Sequence, residues 1–475
     1  MVLENRNITD IVYDSRKAKS NTAFVCLVGT NSDGHKYVSD AYNQGCRLFY
    51  CEHSVDLPND ATVVICDNTR IKLAQLSREL FSYPDKELKI IGITGTKGKT
   101  TTSNMIADIL NKNKINTAVI GTNGIIINGD RTPTLNTTPE SYELFSSFRK
   151  MVDNGVKCCV MEVSSQAPKL NRVYGIEFDI GVFTNLSVDH IGKGEHKDFE
   201  EYKSCKGYLF SHSDISVINK DDEHSEYFIN RAKNKVITYS VKNGDYSALN
   251  ISKSVSGNKL GMSFTVRKGS TLCDIKVSTP GMYSVYNALC VFSVCDIMGI
   301  SPGNIASVMP SLFVPGRFEI VDVLPYATFV IDYAHNALSL ESVLKTIVEY
   351  EPKRLVVLFG SVGDRTQLRR KELAEVASRY ADLIIVTSDN PGYEEPEKII
   401  DEISSYIKNT PFLKFADRAE AVRYSVINAL PGDVILLAGK GHEDYQLIEG
   451  KKIPFSEKQL IFDTVASAEF KAKIQ

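Results

Sequence analysis

The segment GITGTKGKTTT, residues 92–102, carries glycine, lysine and threonine at a spacing suited to phosphate binding. It follows an apolar run and precedes an amphipathic one, so it lies where a strand meets the start of a helix. At such a junction glycines let backbone N–H groups close on phosphate oxygens. Lys99 would neutralise the terminal phosphates, and the Thr100 hydroxyl would bind Mg²⁺. Ile93 stands where the common loop pattern has glycine, so a glycine-rich turn capped by threonine is the alternative.

Candidate metal ligands follow the next two strands of the same region. Glu162 ends the apolar run CCVMEVSS, and Asp189 and His190 follow the run VFTNLS. Because the carboxyl ends of parallel strands meet at one edge of a sheet, we expect these side chains near the loop, where Mg²⁺ requires carboxylates. Each of them alone is equally compatible with a structural hydrogen bond. Lys206, in YKSCKGYLF, is by its spacing a solvated lysine on a helix.

A second group of polar residues follows four apolar strands in the last third of the chain. The strands are ATFVIDYAH, RLVVLFGS, DLIIVTSDN and DVILLAGKG. An arginine beside paired acids suits a zwitterionic ligand, since arginine binds a carboxylate and the acids bind ammonium groups. Polar surface loops are the alternative. The residues concerned are Asp332, His335, Asp364, Arg365, Asp389, Asn390, Lys440, His442 and Glu443.

Three parts of the chain are predicted to position these groups. Residues 1–86 contain short strands such as TAFVCLVG and ATVVICD, which indicate a small α/β domain. Residues 87–314 alternate strands and helices, which predicts a mostly parallel sheet covered by helices. Within them, residues from about 235 to 280 alternate polar and apolar side chains as antiparallel hairpins do. Residues 315–475 predict a second, Rossmann-like sheet.

Composition excludes several classes of function. A formal net charge of −3 over 475 residues does not favour binding to nucleic acid or to an anionic membrane. No apolar run is long enough to span a bilayer, and no signal peptide is visible. The ten scattered cysteines form no CxxC motif, which indicates reduced thiols and a cytoplasmic location.

With these residues assembled, the chain resembles the Mur ligase family, and within it the members that add the third residue of the peptidoglycan stem peptide. The resemblance extends from Asp14 to Ser456. Its motifs are GITGTKGKTTT, NTTPES (136–141), MEVSSQ (161–166), NLSVDHIG (185–192), VPGRFE (314–319), IDYAHN (331–336), DNP (389–391) and AGKGHEDYQ (438–446). The family shares an offset glycine in its phosphate loop, so Ile93 is no longer an anomaly.

The resemblance implies a three-domain α/β architecture: an N-terminal UDP-binding domain, a central P-loop ATPase-like domain and a C-terminal amino-acid-binding domain. It implies that Thr100 and Glu162 hold one Mg²⁺ and that Glu162 and His190 share a second. It also implies that Lys206 is carbamylated by CO₂ and in that form is a further metal ligand. The implied catalytic residues are Lys99, Lys206, His190 and Glu162. The implied ATP-binding residues are Gly95, Thr96, Lys97, Gly98, Lys99, Thr100, Thr101, Asn287, Arg317 and Asp332.

The resemblance also implies two further sites. The residues matching the site for the UDP-sugar and its dipeptide are Tyr13, Ser15, Thr30, Asn31, Ser32, Asn136, Thr137, Thr138, Ser164 and Arg172. The residues matching the pocket for the incoming amino acid are Arg365, Asp389, Asn390, Gly439 and Glu443. The implied substrates are UDP-N-acetylmuramoyl-L-Ala-D-Glu and a free amino acid, acted on by a monomer. ATP would phosphorylate the D-Glu γ-carboxylate, and the amine of the amino acid would attack the acyl phosphate.

Gly392 sets an expectation about the amino acid. Members of the family that add meso-diaminopimelate typically read DNPR, whereas this chain reads DNPG. Because glycine supplies no guanidinium for a second carboxylate, we expect L-lysine, with ornithine as an alternative. The stretch GKGHEDYQ resembles diaminopimelate enzymes, so diaminopimelate is also an alternative.

Other functions remain open on the sequence alone. A ligase like folylpolyglutamate synthetase would share the second and third parts but lack the first ~85 residues, which here contain YDSRK and GTNSDGH. A non-catalytic binding protein derived from a ligase would be expected to lose Lys99, Glu162, His190 or Lys206, and all four are present. A P-loop ATPase acting on a protein partner is the remaining alternative.

Overall fold

The computed structural model describes residues 1–29, 32–189, 191–192, 194–256, 259–363, 368–468 and 470. The chain divides into two compact units. The first comprises Met1–Leu249, Val266–Cys273 and Tyr286–Val308, and the second comprises Asn250–Thr265, Asp274–Val285 and Met309–Gln475. All ten cysteines are free thiols. Among the described residues, no helix is long and apolar enough to cross a membrane.

The first unit begins with a four-stranded parallel sheet. Its strands follow the order β3-β4-β5-β6. Buried side chains pack on both faces, with Phe24 and Phe49 on one and Ile11 and Leu48 on the other. The elements of this part are β1 (Val2–Leu3), β2 (Arg6–Asn7), β3 (Asp10–Val12), β4 (Thr22–Val25), α1 (Val38–Asn43), β5 (Leu48–Cys51), β6 (Thr62–Ile65) and α2 (Thr69–Leu80).

A larger sheet follows, with the order β10-β9-β8-β11-β7-β12-β13-β14-β15-β16-β17. Strands β8 to β14 pair in parallel, apart from β9 and β10, which form an antiparallel edge. Strands β15 to β17 contribute residues to both units. The elements are β7 (Lys89–Thr94), α3 (Lys99–Lys112), β8 (Thr117–Gly121), β9 (Gly124–Ile127), β10 (Asp130–Thr132), α4 (Ser141–Asp153), β11 (Cys158–Glu162), α5 (Gln166–Lys169), β12 (Phe178–Phe183), α6 (Phe199–Ser211), β13 (Ser213–Asn219), α7 (Ser225–Arg231), β14 (Lys235–Ser240), β15 (Tyr246–Ser256), β16 (Lys259–Lys268), β17 (Thr271–Val277), α8 (Met282–Ile297) and α9 (Pro302–Val308).

The second unit contains a six-stranded sheet with the order β18-β19-β23-β20-β21-β22. Only β18 is antiparallel to its neighbour, and apolar side chains pack on both faces of the sheet. The elements are β18 (Glu319–Leu324), β19 (Ala327–Asp332), α10 (Ala337–Val348), β20 (Arg354–Phe359), α11 (Leu368–Tyr380), β21 (Leu383–Thr387), α12 (Pro396–Ser405), β22 (Phe412–Phe415), α13 (Arg418–Ile427), β23 (Asp433–Ala438), the hairpin β24 (Tyr445–Ile448) and β25 (Lys451–Pro454), and α14 (Glu457–Ala466).

The α/β fold class predicted from the sequence is confirmed, with parallel sheets in the places expected. One local prediction is wrong. Residues 235–240 form β14, which pairs in parallel with β13 and with the start of β15, instead of opening an antiparallel hairpin. Helix α7 lies between β13 and β14 in the chain and provides the crossover connection that parallel pairing requires. The domain bounds at residues 86 and 314 stay predictions.

Candidate active site

The phosphate loop lies between β7 and α3. Gly95 and Gly98 have φ angles of +150° and +86°, which L side chains rarely adopt. A Cβ on Gly95 would lie 1.9 Å from Thr184 Oγ1. Helix α3 has Gly98 at its N-cap and no side-chain cap hydrogen bond, so the alternative of a threonine-capped turn is wrong. The geometry is a strand, a loop and a helix N-terminus, as the phosphate-binding interpretation requires.

Ile93 lies inside β7 and not in the loop. Its side chain is fully buried, and it pairs in register with Glu162 of the neighbouring strand β11. Thr94 Oγ1 donates to the carbonyl oxygen of Val163, which ties the ends of the two strands together. The loop therefore begins only after Thr94, and no glycine is required at position 93.

Two lysines meet at one carbonyl oxygen of the loop. Lys99 Nζ donates to the Gly95 oxygen at 2.8 Å, and Lys206 Nζ donates to the same oxygen at 2.8 Å. Lys206 is buried on α6 against the Tyr202 ring. Burial lowers the pKa of Lys206 well below its ordinary value, and the charge of Lys99 lowers that pKa further. The interpretation of Lys206 as a solvated helix lysine is therefore wrong.

Glu162 lies at the carboxyl end of β11 and is 1% exposed. Its Oε1 accepts the Thr122 N–H at 2.9 Å, and its Oε2 accepts from the Thr122 hydroxyl at 3.2 Å. A Cβ on Gly121 would lie 2.2 Å from Glu162 Oε1, so glycine leaves the room that this carboxylate occupies. Carboxylate and hydroxyl oxygens, here Glu162 and the buried Thr100 of the loop, are the hard donors that Mg²⁺ prefers.

The segment after β12 holds the loop, and sequence reasoning missed this role. Asn185 Oδ1 accepts the Lys97 N–H at 2.9 Å, and the carbonyl oxygen of Asn185 accepts the Thr96 N–H at 2.8 Å. The Thr184 hydroxyl donates to the Lys97 oxygen at 2.7 Å. Tyr202 contacts the Thr96 hydroxyl at 3.0 Å. The motif NLSVDHIG contains Asn185, but only its acid and histidine suggested chemistry.

The predicted adenine contact, Asn287, lies beside the loop. It is carried by α8, and its Oδ1 is 2.7 Å from the position that a Cβ on Gly98 would occupy. Thr101 is in the first turn of α3. Arg317 and Asp332 belong to the second unit. His190 lies outside the described residues.

Most residues predicted to contact the dipeptide are joined by hydrogen bonds at the end of β11. Thr138 Oγ1 donates to the Glu162 carbonyl oxygen at 2.8 Å and accepts the Ser164 N–H at 3.0 Å. Arg172 donates to the Thr138 oxygen at 3.1 Å. Thr137 Oγ1 lies 3.2 Å from the Thr122 hydroxyl that contacts Glu162. Asn136 is exposed in the same segment.

Glu140 and Arg70 extend this network, although neither was predicted. Glu140 accepts from Arg172 Nε at 2.8 Å and from Arg70 Nη1 at 2.9 Å. Arg70 also donates to the carbonyl oxygen of Val28 at 3.1 Å. The network thus connects the dipeptide residues to the segment just before the predicted uridine contacts. Glu140 belongs to the motif NTTPES, which could have indicated its place, whereas Arg70 lies in none of the motifs.

Of the predicted uridine contacts, Tyr13, Ser15 and Ser32 are described, whereas Thr30 and Asn31 lie outside the described residues. Tyr13 donates its hydroxyl to Glu143 Oε1 at 2.7 Å. Burial, and then that hydrogen bond, raise the pKa of Tyr13. Ser15 begins a 3-10 helix after Asp14, and Ser32 is exposed.

In the second unit, polar groups gather at the carboxyl ends of β19, β21 and β23. Asp332 accepts the N–H groups of Phe318 and Ala334 at 2.7 and 2.8 Å. Gly439 N–H donates to the Asp332 carbonyl oxygen at 3.0 Å. A Cβ on Gly439, where φ is +112°, would lie 2.8 Å from Asp389 Oδ2.

Asn390 and Glu443 are linked directly, because Asn390 Nδ2 donates to Glu443 Oε2 at 2.9 Å. The Arg317 guanidinium lies 4.7 Å from the centre of the Tyr333 ring. Arg365, also predicted for this pocket, lies outside the described residues. The described residues predicted for the amino acid are thus brought together within the second unit.

Comparisons with known proteins agree with this geometry. Residues 93–295 match the Mur ligase middle domain, and residues 316–441 match the Mur ligase glutamate ligase domain. A protein of Caldanaerobacter subterraneus subsp. tengcongensis is 39% identical over 469 residues, covering 98% of this chain and 96% of the relative. One of Clostridium perfringens is 38% identical, covering 97% and 95%. Both are named UDP-N-acetylmuramoyl-L-alanyl-D-glutamate--2,6-diaminopimelate ligase.

Solved structures are also similar to this chain. A structure with that same name is 28% identical, covers 97% of this chain and 95% of its own, and has a TM-score of 0.71. Mycobacterium tuberculosis folylpolyglutamate synthase, at 16% identity, shares the fold with a TM-score of 0.63 over 78% of this chain and 92% of its own. This chain therefore belongs to the Mur ligase family, the ATP-dependent amide ligases of peptidoglycan synthesis.

Proposed function

We propose that the chain joins 2,6-diaminopimelate to the D-Glu γ-carboxylate of UDP-N-acetylmuramoyl-L-Ala-D-Glu. The relatives that carry this name match this chain over almost their whole length, whereas the folylpolyglutamate synthase structure covers 78% of this chain. The observation that carries the proposal is the network that joins Glu162 to Thr138, Ser164 and Arg172. It would hold a peptide carboxylate beside the phosphate loop.

The ATP site is proposed to use the loop from Gly95 to Thr101. The N–H groups at the start of α3 would bind the phosphates, and Lys99 would neutralise charge on the transferring group. Asn287 would bind adenine, and Arg317 and Asp332 would contact the ribose and phosphates. Thr100, Glu162 and His190 would hold two Mg²⁺ ions, which supply positive charge to the terminal phosphates when bound.

Lys206 is proposed to carry a carbamate. CO₂ would add to its neutral amine and release one proton, which replaces a potential cation with an anion. The lowered pKa of Lys206, caused first by burial, supports this because only the neutral amine reacts with CO₂. The product would also face the Lys99 ammonium as an opposite charge. Lys206→Ala is expected to lose activity and to regain part of it with added short carboxylic acids, whereas full activity without them would remove Lys206 from the mechanism.

The remaining substrate contacts are proposed from the family pattern. Tyr13, Ser15, Thr30, Asn31 and Ser32 would bind the uridine end. Asn136, Thr137, Thr138, Ser164 and Arg172 would bind the muramoyl dipeptide. Arg365, Asp389, Asn390, Gly439 and Glu443 would bind the amino acid.

The choice of diaminopimelate departs from the expectation based on Gly392. The names of the relatives favour diaminopimelate, and nothing in the comparisons favours L-lysine. Gly392 has a φ of +64°, and its backbone bonds to Leu447 and Glu449, so this position suits glycine in this chain. The second carboxylate of diaminopimelate would therefore require a donor other than a side chain at position 392. Gly392 alone does not determine which amino acid is the acceptor.

The proposed reaction has two steps. The γ-carboxylate of D-Glu attacks the γ-phosphorus of ATP, which gives an acyl phosphate and ADP. The free amine of the amino acid then attacks the acyl carbon, and phosphate leaves as the amide forms. Lys99 and the loop N–H groups would stabilise the charge that moves in the first step, and exclusion of water would protect the acyl phosphate.

A direct assay tests the proposal. The purified protein would be given ATP, Mg²⁺ and UDP-N-acetylmuramoyl-L-Ala-D-Glu with diaminopimelate, L-lysine or ornithine, and product masses would be recorded. We expect ADP and a diaminopimelate-containing tripeptide. Preference for L-lysine would restore the expectation from Gly392. If no amino acid gives a tripeptide, the proposed function is excluded.

The protein is further proposed to act as a cytoplasmic monomer without a nucleic-acid or membrane partner. Sedimentation equilibrium across a range of concentrations tests the monomer, since a dimer would show twice the mass. Cell fractionation, with detection of the protein by an antibody, tests its location.

A further inference from the structure

A fully buried lysine lies at the centre of the proposed amino-acid pocket. The side chain of Lys440, just after β23, is 0% exposed. Its Nζ donates to Asn390 Oδ1 at 2.7 Å and to Glu443 Oε2 at 2.8 Å. Asp389 Oδ1 lies 3.6 Å from the same nitrogen. None of the family contacts set out above includes Lys440.

The surroundings of Lys440 account for its charge. A buried ammonium is costly unless it is paired and hydrogen-bonded, and here two carboxylates and an amide oxygen surround it. The Tyr445 ring, whose centre is 5.4 Å from Nζ, covers another side. With one positive and two negative groups, the cluster carries a net charge of −1. A cluster of this charge is suited to an incoming ammonium group.

Lys440 also fixes the orientation of the Asn390 amide. Asn390 Oδ1 accepts from Lys440 and, at 2.9 Å, from the Leu447 N–H. If the amide turned over, its NH₂ group would face both donors, and its oxygen would face Glu443. The amide N–H groups are therefore held toward Glu443 and cannot exchange places with the oxygen at low cost.

We infer that Lys440 is the positioning residue of the amino-acid pocket: it holds the Asn390 amide in one orientation. This inference rests on the proposed function, in which Asn390 and Glu443 contact the acceptor. Lys440 itself has its donors directed at protein groups and touches no reacting atom. Its effect on the reaction is thus expected in acceptor binding and not in phosphoryl transfer.

Removal of Lys440 takes a donor away from the Asn390 amide. In Lys440→Met, Asn390 Oδ1 loses its charged donor and keeps the Leu447 N–H. A charge-assisted hydrogen bond is stronger than a neutral one, so the amide is held less firmly. Binding of the acceptor through Asn390 and Glu443 should weaken as a result.

The experiment compares the kinetics of Lys440→Met with those of the parent. We expect KM for the acceptor to rise roughly 10- to 100-fold, with KM for ATP and for the UDP-dipeptide unchanged. Lys452→Met is the matched control, because Lys452 Nζ lies 4.2 Å from the centre of the same Tyr445 ring but on the exposed hairpin. Its kinetics should match the parent. Equal increases in all three KM values would overturn the inference.

A second variant keeps the test if Lys440→Met does not fold, as judged by circular dichroism. Lys440→Met with Glu443→Gln leaves fewer buried charges unpaired. We expect its KM for the acceptor to stay high while its KM for ATP equals that of the parent. A double variant with the acceptor KM of the parent would contradict the assigned role.

A crystal structure of Lys440→Met provides a readout that needs no activity. We expect the Asn390 amide to lose its single orientation and its bond to the Leu447 N–H. An unchanged Asn390, bonded to Leu447 and Glu443 as in the parent, would overturn the positioning role. Failure of the parent to make any tripeptide would instead exclude the proposed function, and the structure of the variant would still decide what Lys440 positions.

Discussion

Gly98, at the start of α3, combines a left-handed backbone with a close neighbour. Its φ is +86°, and a Cβ there would lie 2.7 Å from Asn287 Oδ1. Gly98→Ala is expected to cost about 1–2 kcal/mol of stability through backbone strain. It should also displace the Asn287 amide and raise KM for ATP by roughly 10- to 100-fold. Urea unfolding and steady-state kinetics measure the two effects.

Gly129 offers a matched control for that prediction. Its φ is +92°, and a Cβ there would meet no heavy atom within 4 Å. Gly129→Ala therefore imposes similar strain without contact to the loop, and its KM for ATP should equal that of the parent. If both variants changed KM equally, strain and not displacement of Asn287 would be the cause.

Lys206 should make stability depend on pH in CO₂-free buffer. Its pKa is lowered in the folded protein, chiefly by burial, so the unfolded chain binds a proton that the folded chain lacks. Stability then rises with pH between the lowered pKa and the ordinary lysine value, and it falls as pH decreases. The slope of the free energy of unfolding against pH corresponds to at most one proton. Lys206→Met is expected to lose this slope, as measured by urea unfolding at several pH values.

Lys203→Met serves as the control for that measurement. Lys203 lies on the same helix and pairs with Glu200 at 2.8 Å near the surface. Its replacement should leave the pH slope as in the parent. An equal loss of slope in both variants would show that burial of Lys206 is not the source.

Residue types and apolar patterns were sufficient to place Lys99 and Thr100 at the start of α3 and Glu162 at the end of β11. Burial of Lys206 could not be predicted in the same way. Its partners, the Gly95 carbonyl oxygen and the Tyr202 ring, come together only through packing of α6 on the loop after β7. Spacing along a helix predicts which residues share a face, but it does not predict what packs against that face.

At the scale of elements, one buried arginine joins two strand ends to a helix. Arg418 opens α13 and is 0% exposed. It donates to the carbonyl oxygens of Ser388 and Ala438, which directly precede Asp389 and Gly439, and pairs with Glu457 at 2.8 Å. Burial raises the pKa of Glu457, and Arg418 opposes that effect.

Arg418→Met is therefore expected to destabilise the protein by about 3–5 kcal/mol, because Glu457 is left buried and unpaired. The double variant with Glu457→Gln should recover part of that loss, as urea unfolding would show. Lys414→Met is the control, since Lys414 pairs with Asp401 at 2.9 Å on the surface. It should cost less than about 1 kcal/mol. A small effect of Arg418→Met would contradict the structural role of this pair.

The order of the strands explains why the elements were predicted better than their pairing. Apolar runs separated by helices predicted β19, β20, β21 and β23 and the parallel sheet that they form. The alternation after residue 235 did not distinguish a parallel strand from a strand of a hairpin, because both have the same two-residue period. The crossover through α7, which precedes β14, is what makes β14 pair in parallel with β13.

At the scale of the whole molecule, the substrates bind through different chemistry. The proposed ATP contacts depend on Mg²⁺ held by Thr100 and Glu162. The proposed uridine contacts are uncharged hydroxyl groups, such as those of Tyr13 and Ser15, and one amide. A ligand that binds only the folded protein at 100 times its Kd stabilises it by about 2.7 kcal/mol. Each ligand should therefore raise Tm separately, and only one of the two effects should require the metal.

Chelation of Mg²⁺ with EDTA is thus expected to abolish tripeptide synthesis and most of the rise in Tm caused by ATP, while the rise caused by the UDP-dipeptide remains. The physical reason is that the phosphates of ATP lose the cation that offsets their charge, whereas hydroxyl contacts to uridine do not involve it. Thermal unfolding with each ligand, with and without EDTA, measures the effect, and excess Mg²⁺ should restore it. Loss of both ligand effects would indicate that the metal supports the fold, and retention of synthesis in EDTA would exclude the proposed metal role of Thr100 and Glu162.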